Sequence, residues 1–443
     1  MSGFVRFLAV SGLVLGLTGV GARGMAMDLL QVWQQAEAND ARIAAARAVL
    51  AAEREQAPQA LSGLLPTVTL TGETLWNDTE SHAGGVRTAQ RYNTHAYALV
   101  LTQPVFRWQD WLAWDQGKLA VAMAEVRFAA AEQELILRVA EAYFDALNAE
   151  ATLEAARAQK SAIGEQLEQA RRSFEVGATT IVDSYEAQSR YDLAEAQVIA
   201  GENELEVKRE ALRLLIGELP ASLARLDTTA RLETPQPAKP EAWVAQAREQ
   251  NLAVQVQERQ AGIAALEVDK ARAGHYPTLD FVARSGAGRN APNSADVRPR
   301  SEDLEVGLQL TVPLFQGGHV ASKTREARAQ AEAATATLEA LRREAALLAR
   351  QSYLGVVNGL AQIRALEAAL TSSLAALDSN KLGYEVGVRI NIDVLNAEQQ
   401  VFYTRRDLAR AWHDTLLARL KLRYAVGTLD EAEVRAVNTL LRH

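Results

Sequence analysis

The sequence of 443 residues contains no cysteine. This absence excludes a disulfide framework, a thiol nucleophile, a thiolate metal site and a lipid-anchored N-terminal cysteine. Aromatic residues make up only 6% of the chain, and basic residues are outnumbered by acidic ones, which gives a net charge of −8. Because there is no basic surplus to neutralise phosphates, the composition argues against nucleic acid as a partner.

The sequence also lacks the common catalytic signatures. It has no glycine-rich Lys-Ser/Thr phosphate loop and no Gly-x-Ser-x-Gly nucleophile elbow. Its six histidines are scattered without the spacing of metal ligands. We therefore expect no catalytic residues, no metal site, no cofactor and no enzymatic activity.

The N-terminal segment 1–26 has the pattern of a secretory signal peptide. Arg6 precedes an apolar stretch at 7–20, and small residues offer cleavage after Ala22 or after Ala26. A transmembrane anchor is the alternative, but the stretch is shorter than the ~20 residues of a membrane span. No later segment is long and apolar enough for a transmembrane helix, so a membrane-spanning mature chain would need a β-barrel.

The chain repeats itself with an offset of about 210 residues. Phe-Glu-Val-Gly at 174–177 returns as Tyr-Glu-Val-Gly at 384–387, and Asp183 is matched by Asp393. Each half is predicted to contain a helix, two strands, a long helix, a turn and another helix. Two copies of one unit indicate a pseudo-symmetric, elongated protein.

These patterns divide the chain into a signal peptide (1–26) and two structural repeats (27–230 and 231–443). In the first repeat we predict two strands and two long helices, at about 66–76, 92–104, 105–174 and 183–217. In the second repeat the corresponding strands and helices are predicted at about 277–286, 302–313, 316–384 and 393–427, before a C-terminal segment at 428–443.

Each predicted strand has about ten residues, the length that a tilted strand needs to cross a bilayer. Apolar and polar residues alternate most cleanly from Leu304 to Val312. The polar connections 77–91 and 286–302 are typical of exposed loops. A small soluble sheet would show the same alternation, and four strands cannot close a barrel, so a membrane role requires several chains to share one.

The long helices show a coiled-coil period. Apolar or small residues recur at alternating steps of four and three through 135–174, interrupted only by Lys160, and the same register returns through 345–384. A sustained 3.5-residue period is typical of a coiled coil. A second apolar stripe at 136–147 lets the helices pack on both sides and build a cylinder, whereas a simple rod is the alternative.

Four motifs, in order, resemble those of the TolC family of outer-membrane efflux and type I secretion channels over essentially the whole mature chain. They are the opening helix at 28–36, Leu-Leu-Pro at 64–66, the two Val-Gly turns with an aspartate six residues beyond the glycine, and Ala-Val-Gly-Thr-Leu at 425–429.

This resemblance implies a mainly α fold with a membrane β-barrel portion, built from a duplicated helix–strand–strand–helix–helix unit. Three chains would form a 12-stranded barrel continued by a long α-helical coiled-coil tunnel, with an equatorial belt from 218–250 and 428–443. The homotrimer would sit in the outer membrane of a Gram-negative bacterium, in contact with outer-membrane lipid, and extend into the periplasm. It would be a passive conduit for type I protein secretion or multidrug efflux, served by a periplasmic membrane-fusion adaptor and an inner-membrane transporter of the ABC or RND type.

An exported periplasmic coiled-coil adaptor or structural protein without a pore is the alternative function. Such a protein would have heptads but would not need four membrane-length strands with polar loops at matching places in each half.

The resemblance also places a gate at the periplasmic helix tips. Tyr384 and Arg389 fall on the positions of inter-helix links, Asp183 falls on their acidic partner, and Asp393 falls on a constriction ring. Asn396 falls where similar sequences have a second aspartate, which lowers the charge of the ring. From the residues alone, Asp183 and Asp393 equally fit N-caps of the helices that follow.

The two Val-Gly turns have a structural and a functional interpretation. Gly177 and Gly387 are typical C-terminal caps of long helices. By the family resemblance, these tips, with Val176 and Val386, are also the expected docking sites of the adaptor.

Aromatic residues cluster at the ends of the predicted strands, where a membrane girdle would lie, namely Trp76, Tyr92, Phe106, Trp108 and Trp111. Ordinary packing of aromatic residues in a core is the alternative interpretation of this cluster.

Overall fold

The computed structural model describes residues 26–177, 180–227, 232–289 and 299–442. The predicted signal peptide lies outside these residues except for Ala26. The described helices are α1 (Leu29–Asn39), α2 (Ala41–Arg54), α3 (Gln56–Ser62), α4 (Trp108–Glu175), α5 (Ile181–Ile216), α6 (Pro240–Gln250), α7 (Leu252–Arg272), α8 (His319–Glu385), α9 (Asn391–Ala425) and α10 (Glu431–Asn438). The described strands are β1 (Thr67–Ala83), β2 (Val86–Phe106), β3 (Arg225–Leu226), β4 (Thr278–Arg289), β5 (Arg300–Thr311) and β6 (Leu441–Arg442).

Both halves of the chain contain the same order of elements. Short helices lead into a β-hairpin, and the hairpin leads into a long helix that turns back as a second long helix. The four long helices have 68, 36, 67 and 35 residues. At 1.5 Å per residue α4 alone is about 100 Å long. The predicted fold class, mainly helical with a duplicated unit and a sheet, is confirmed.

The hairpins of the two halves join in one antiparallel sheet with the strand order β1-β2-β4-β5. The adjoining helices continue below the sheet in the matching order α3, α4, α7 and α8, because each is joined directly to one strand. Among the described residues, no helix combines the length and the hydropathy that crossing a bilayer requires.

The register places most of the large apolar residues of the four strands on one face of the sheet. Leu70 pairs with Leu99, Leu101 with Ala283, and Ala283 with Val306, and directly paired residues point to the same side. This apolar face contains Val68, Leu70, Trp76, Tyr97, Leu99, Leu101, Leu279, Phe281, Leu304, Val306, Leu308 and Leu310. The opposite, polar face contains Thr69, Thr71, Glu73, Asp280, Arg284, Asp303, Glu305 and Gln309.

The first β-hairpin is longer than the sequence indicates. The predicted loop at 77–91 is wrong, because β1 continues to Ala83 and β2 begins at Val86. Gly84 and Gly85, with φ of 58° and 81°, form the two-residue turn, as a tight hairpin requires. Cross-strand ion pairs join Asp78 to Arg91 and Glu80 to Arg87. A polar two-stranded ribbon has the composition of a loop because water reaches both of its faces.

The coiled-coil seam of α4 is buried between Leu135 and Ala170, where α4 packs along α5 and α9. The matching seam of α8 is buried only as far as Ile363. Beyond that residue, Leu366, Leu370 and Leu377 are half-buried. Near its tip, α8 is therefore packed less tightly within one chain than α4.

The largest core cluster lies at mid-height, where α1, the end of α5 and α10 surround α4 and α9. Tyr143 is fully buried there, and its hydroxyl donates hydrogen bonds to the carbonyl oxygens of Ala224 (2.7 Å) and Met27 (3.3 Å). Strand β3 pairs with β6 beside this cluster. The N-terminal and C-terminal segments of the described chain are thereby fixed to the same part of the long helices.

His413 makes the stability of this region depend on pH. Its ring stacks on Phe144, Nδ1 lies 2.5 Å from Oδ1 of Asn148, and burial lowers the pKa of His413 to about 4 although the charge of Asp145 opposes this. The unfolded chain takes up this proton near pH 6.5 and the folded chain near pH 4. Stability is therefore complete above pH 6.5 and falls as the pH drops from 6.5 towards 4, by up to about 3 kcal/mol per chain.

We expect a His413→Gln variant to lose much of this pH dependence. The measurement is the melting temperature of the detergent-solubilised protein at pH 7.5 and pH 5.0. A variant of His275, which is exposed, serves as the control and should behave like the wild type. Equal pH dependence of wild type and His413→Gln would show that His413 does not cause it.

Candidate gate at the helix tips

Two helix hairpins, α4/α5 and α8/α9, end in equivalent turns. Val176 and Val386 are the C-caps of α4 and α8, and Gly177 and Gly387 follow with φ of 73° and 77°. The amide of Val388 donates to the carbonyl of Gly383 at 2.9 Å. This is the 6→1 hydrogen bond of the Schellman motif, which ends many helices. The two glycines thus have the backbone conformation that the C-cap interpretation requires.

Neither aspartate of the tips is an N-cap, which corrects the sequence interpretation. Thr180 and Ile390 are the N-caps of α5 and α9, and Asp183 and Asp393 lie in the first turn three residues later. Asp183 accepts hydrogen bonds from the amide and the hydroxyl of Thr180, both at 3.2 Å. A carboxylate in this place also interacts favourably with the positive end of the helix.

Tyr384 and Arg389, the two predicted link residues, have different surroundings. Burial raises the pKa of Tyr384, the charge of Asp183 raises it further, and a hydrogen bond with Ser173 lowers it. The influence of Asp183 on α5 and Ser173 on α4 indicates that Tyr384 of α8 faces the other hairpin. Arg389 lies in the turn between α8 and α9, and its guanidinium is 3.6 Å from the carboxylate of Asp393 in the first turn of α9.

Asn396 does not stand free at the tip. Its Oδ1 accepts a hydrogen bond from Nη2 of Arg190 at 3.2 Å, while Nη1 of Arg190 donates to Oε1 of Gln399 at 2.9 Å. Arg190 belongs to α5, and both acceptors belong to α9. One guanidinium therefore joins the two hairpins.

Sequence reasoning missed two buried polar residues of α9. Glu398 is 5% exposed, and Lys381 of α8 lies 3.0 Å from its Oε1. Burial raises the pKa of Glu398, Lys381 lowers it, and Glu165 on α4 raises it. Asn391 is also buried. Asn391, Leu395 and Glu398 follow one another at steps of four and three. This spacing is the sequence signal that places the two polar residues in a packed seam.

The tips themselves are apolar and exposed. Val176 and Val388 are 79% and 77% exposed, and Val182, Val386 and Ile390 are similarly open to solvent. An exposed apolar cluster of this kind is typical of a surface that binds another protein.

The predicted girdle residues fall into three positions. Trp76 is exposed on the apolar face of the sheet near its upper end. Phe106, Trp108 and Trp111 are exposed at the lower end, where β2 turns into α4. Tyr92 pairs with Asn77, so it lies on the polar face and apart from Trp76.

Within the described ranges, no group of three or more His, Asp or Glu side chains is placed to hold a metal ion.

Comparison with known proteins connects this geometry to a family. A family model described as "Outer membrane efflux protein" matches residues 32–218 and 243–428. The chain is 32% identical over 419 residues to the outer membrane protein TolC of Vibrio cholerae, covering 94% of each chain. It is 32% identical over 435 residues to the proteases secretion protein PrtF of Dickeya chrysanthemi, covering 95% of this chain and 92% of that protein. The crystal structure of the Campylobacter jejuni CmeC outer membrane channel superposes with a TM-score of 0.79 at 16% identity, covering 93% of this chain and 89% of that one.

Proposed function

The chain belongs to the outer membrane efflux protein family, and from this premise we propose how it assembles and how it is gated. It is an outer-membrane channel-tunnel of a Gram-negative bacterium that serves export, and it is a passive conduit with no enzymatic activity. We propose that three copies form the pore and that the helix tips close it.

The sheet supports assembly of several copies. Among the described residues, β1 and β5 each have one edge without a partner strand. An open edge of this length favours pairing with another strand. Because the four strands alternate in direction, β5 of one copy can pair antiparallel with β1 of the next, and three copies close a sheet of twelve strands.

The apolar face of the sheet supports contact with outer-membrane lipid. Leu70, Leu304 and Leu308 are 71%, 75% and 67% exposed in one chain. Between Val68 and Trp76 the strand rises about 25 Å, close to the apolar height of an outer-membrane sheet. Trp76 and the cluster of Phe106, Trp108 and Trp111 then fit the two membrane interfaces.

The long helices also offer surfaces for neighbouring copies. On α5, Leu193, Val207 and Leu214 are exposed and lie in one heptad register. In the proposed trimer such residues pack against the next chain and continue the coiled-coil packing around the tunnel.

Export through a passive pore needs an energy source elsewhere. We propose a periplasmic membrane-fusion adaptor and an inner-membrane transporter of the ABC or RND type as partners. The exposed apolar turns, with Val176, Gly177, Val386 and Gly387, support adaptor docking at the tips. The name of PrtF describes secretion of proteases, and it supports proteins as one class of exported substrate beside small molecules.

We propose that the gate includes Asp183, Tyr384, Arg389, Asp393 and Asn396. The placement of Tyr384 supports this proposal, because the charge of Asp183 raises the pKa of Tyr384 and Ser173 lowers it, as expected for a side chain of α8 that faces the other hairpin. Asp393 and Arg389 lie together at the mouth, where three copies bring three such pairs to the axis. A polar contact in a partly exposed site contributes about 1–2 kcal/mol, which suits a contact that must open.

The test is single-channel conductance in planar bilayers for the wild type and Tyr384→Phe/Arg389→Ser. We expect low, stable conductance in the wild type and a severalfold rise in the double variant. The control is Tyr185→Phe/Arg172→Ser, which makes the same changes on exposed residues of the α4/α5 hairpin. High conductance already in the wild type would contradict the proposed gate but not the proposed channel. A protein that forms no trimer in detergent and no pore would contradict the proposed assembly.

A further inference from the structure

Contacts inside the α4/α5 hairpin differ from the contacts between the two helix hairpins. Along its length, α4 is joined to α5 by polar contacts of 3.0 Å or less, namely Arg171–Gln188, Lys160–Glu195, Arg157–Glu202 and Lys208–Asp145. The α4/α5 hairpin is therefore fastened within itself from the core cluster to the tip.

Polar contacts between the two hairpins occur at mid-height and again nearer the tip. Lys421 of α9 lies 2.9 Å from Glu141 of α4, and His413 lies 2.5 Å from Asn148. Asn396 lies 17 residues closer to the tip than His413, which is about 25 Å along the helix. At this lower height the guanidinium of Arg190 reaches across to α9.

Apolar packing around the Arg190 contact is uneven, because α9 is buried there and α8 is not. Leu395 of α9 is buried in the cluster formed by Ile163 and Leu167 of α4 and by Ala187 and Ala194 of α5. The seam of α8 is only half-buried below Ile363. The α8/α9 hairpin is therefore held near its tip through α9, by the packing of Leu395 and by the contact with Arg190, and it can swing away only when these contacts break.

We propose that Arg190 is the positioning residue that holds the α8/α9 hairpin closed against the α4/α5 hairpin. This inference rests on the proposed gated channel and assigns it a latch that the family resemblance did not place. Arg190 donates to two amide oxygens, one on Asn396 and one on Gln399, which lie nearly one helical turn apart. The two donor nitrogens of one planar group thereby fix both the height and the rotation of α9.

The neutral acceptors explain why this latch can release. A guanidinium bound to two amides is held less strongly than one bound to a carboxylate. An aspartate at 396 would convert the contact into an ion pair between α5 and α9. The asparagine at this position therefore tunes the strength of the latch as well as the charge at the mouth.

The first test compares single-channel recordings of the wild type, Arg190→Gln and Arg171→Gln. Arg190→Gln should raise the open-to-closed ratio about tenfold, the effect of losing one charged hydrogen-bonded contact. Arg171→Gln removes the same charge at a similar height but breaks a contact inside the α4/α5 hairpin, so it should conduct like the wild type. Adding Gln399→Ala to Arg190→Gln should change little, because both remove the same contact.

A reversible cross-link provides the second test, and the absence of native cysteine makes it specific. The variant Arg190→Cys/Gln399→Cys should conduct as strongly as Arg190→Gln, fall to the wild-type level with a short reducible thiol cross-linker, and recover after reduction. Asn396→Asp should lower the open fraction below that of the wild type.

Three results would overturn the latch. They are wild-type conductance from Arg190→Gln, an equal rise from Arg171→Gln, and a cross-linked variant that stays open. Each of these leaves the channel itself intact. A protein without conductance in any variant would instead overturn the proposed function, and the latch with it.

Discussion

Replacement of Gly427 by alanine is expected to abolish assembly of the channel. Gly427 has φ of 72° at the end of α9, and a Cβ atom there would overlap the carbonyl group of Gln250. Its own carbonyl accepts a hydrogen bond from Gln133 at 3.0 Å, and Asn251 caps the same helix end by donating to Ala425 at 2.9 Å. Backbone would have to move at a junction of α4, α6, α7 and α9, so we expect a loss of several kcal/mol.

Gly387 provides the matched control for this prediction. It ends α8 with φ of 77°, nearly the same backbone conformation, but an added Cβ would meet nothing within 4 Å. Gly387→Ala should therefore cost only the left-handed strain, about 1–2 kcal/mol. The measurement is the amount of trimer recovered from outer membranes. Equal recovery of both variants would show that the conformation of the glycine, and not the approach of Gln250, determines the effect.

Loss of Asp280 is expected to give the second large effect. Arg107 binds Asp280 through two parallel hydrogen bonds, Nε to Oδ1 at 2.8 Å and Nη2 to Oδ2 at 2.9 Å, and Asp280 is 9% exposed. The pair lies where β2 ends in a bulge and α4 begins. The pair joins the start of α4 in the first repeat to β4 in the second repeat. It thereby fixes the angle between the sheet and α4.

Asp280→Ala leaves the guanidinium without its partner and should destabilise the protein by about 3 kcal/mol, the lower end for a broken buried pair because Arg107 is partly exposed. The measurement is the temperature at which the trimer dissociates in detergent. Asp110→Ala is the control, since Asp110 lies 3.9 Å from Arg107 and should contribute little. Arg107→Met/Asp280→Leu should recover part of the loss, because no unpaired charge remains. A double variant weaker than Asp280→Ala would contradict this account.

Local sequence patterns predict which residues of a helix or strand share a face. Steps of four and three from Leu135 to Ala170 predicted a buried helical seam, and that seam is buried. Alternation from Leu304 to Val312 predicted a strand with one apolar face, and the register places its leucines on one side. These patterns succeed because the geometry of a helix or strand fixes which residues share a face.

The predictions that failed concern contacts whose partners the local pattern does not specify. The polar segment 77–91 looked like a loop because only its cross-strand partners, such as Asp78 with Arg91, make it a hairpin. The N-cap interpretation of Asp183 is wrong, because Thr180 is the N-cap and α5 begins at Ile181. Helix ends are decided by small differences in capping energy, which a single sequence does not resolve.

By itself, the sequence determined the duplicated helical and strand-containing architecture, the apolar face of the sheet and the glycines that end the long helices. Only the tertiary structure decided that Arg107 meets Asp280, that His413 is buried against Asn148, and that Arg190 reaches Asn396 and Gln399. Residues of these pairs are separated by long stretches of chain and carry no shared period. Their meeting depends on how far one helix or hairpin slides and rotates along another, and packing of the whole molecule sets that register.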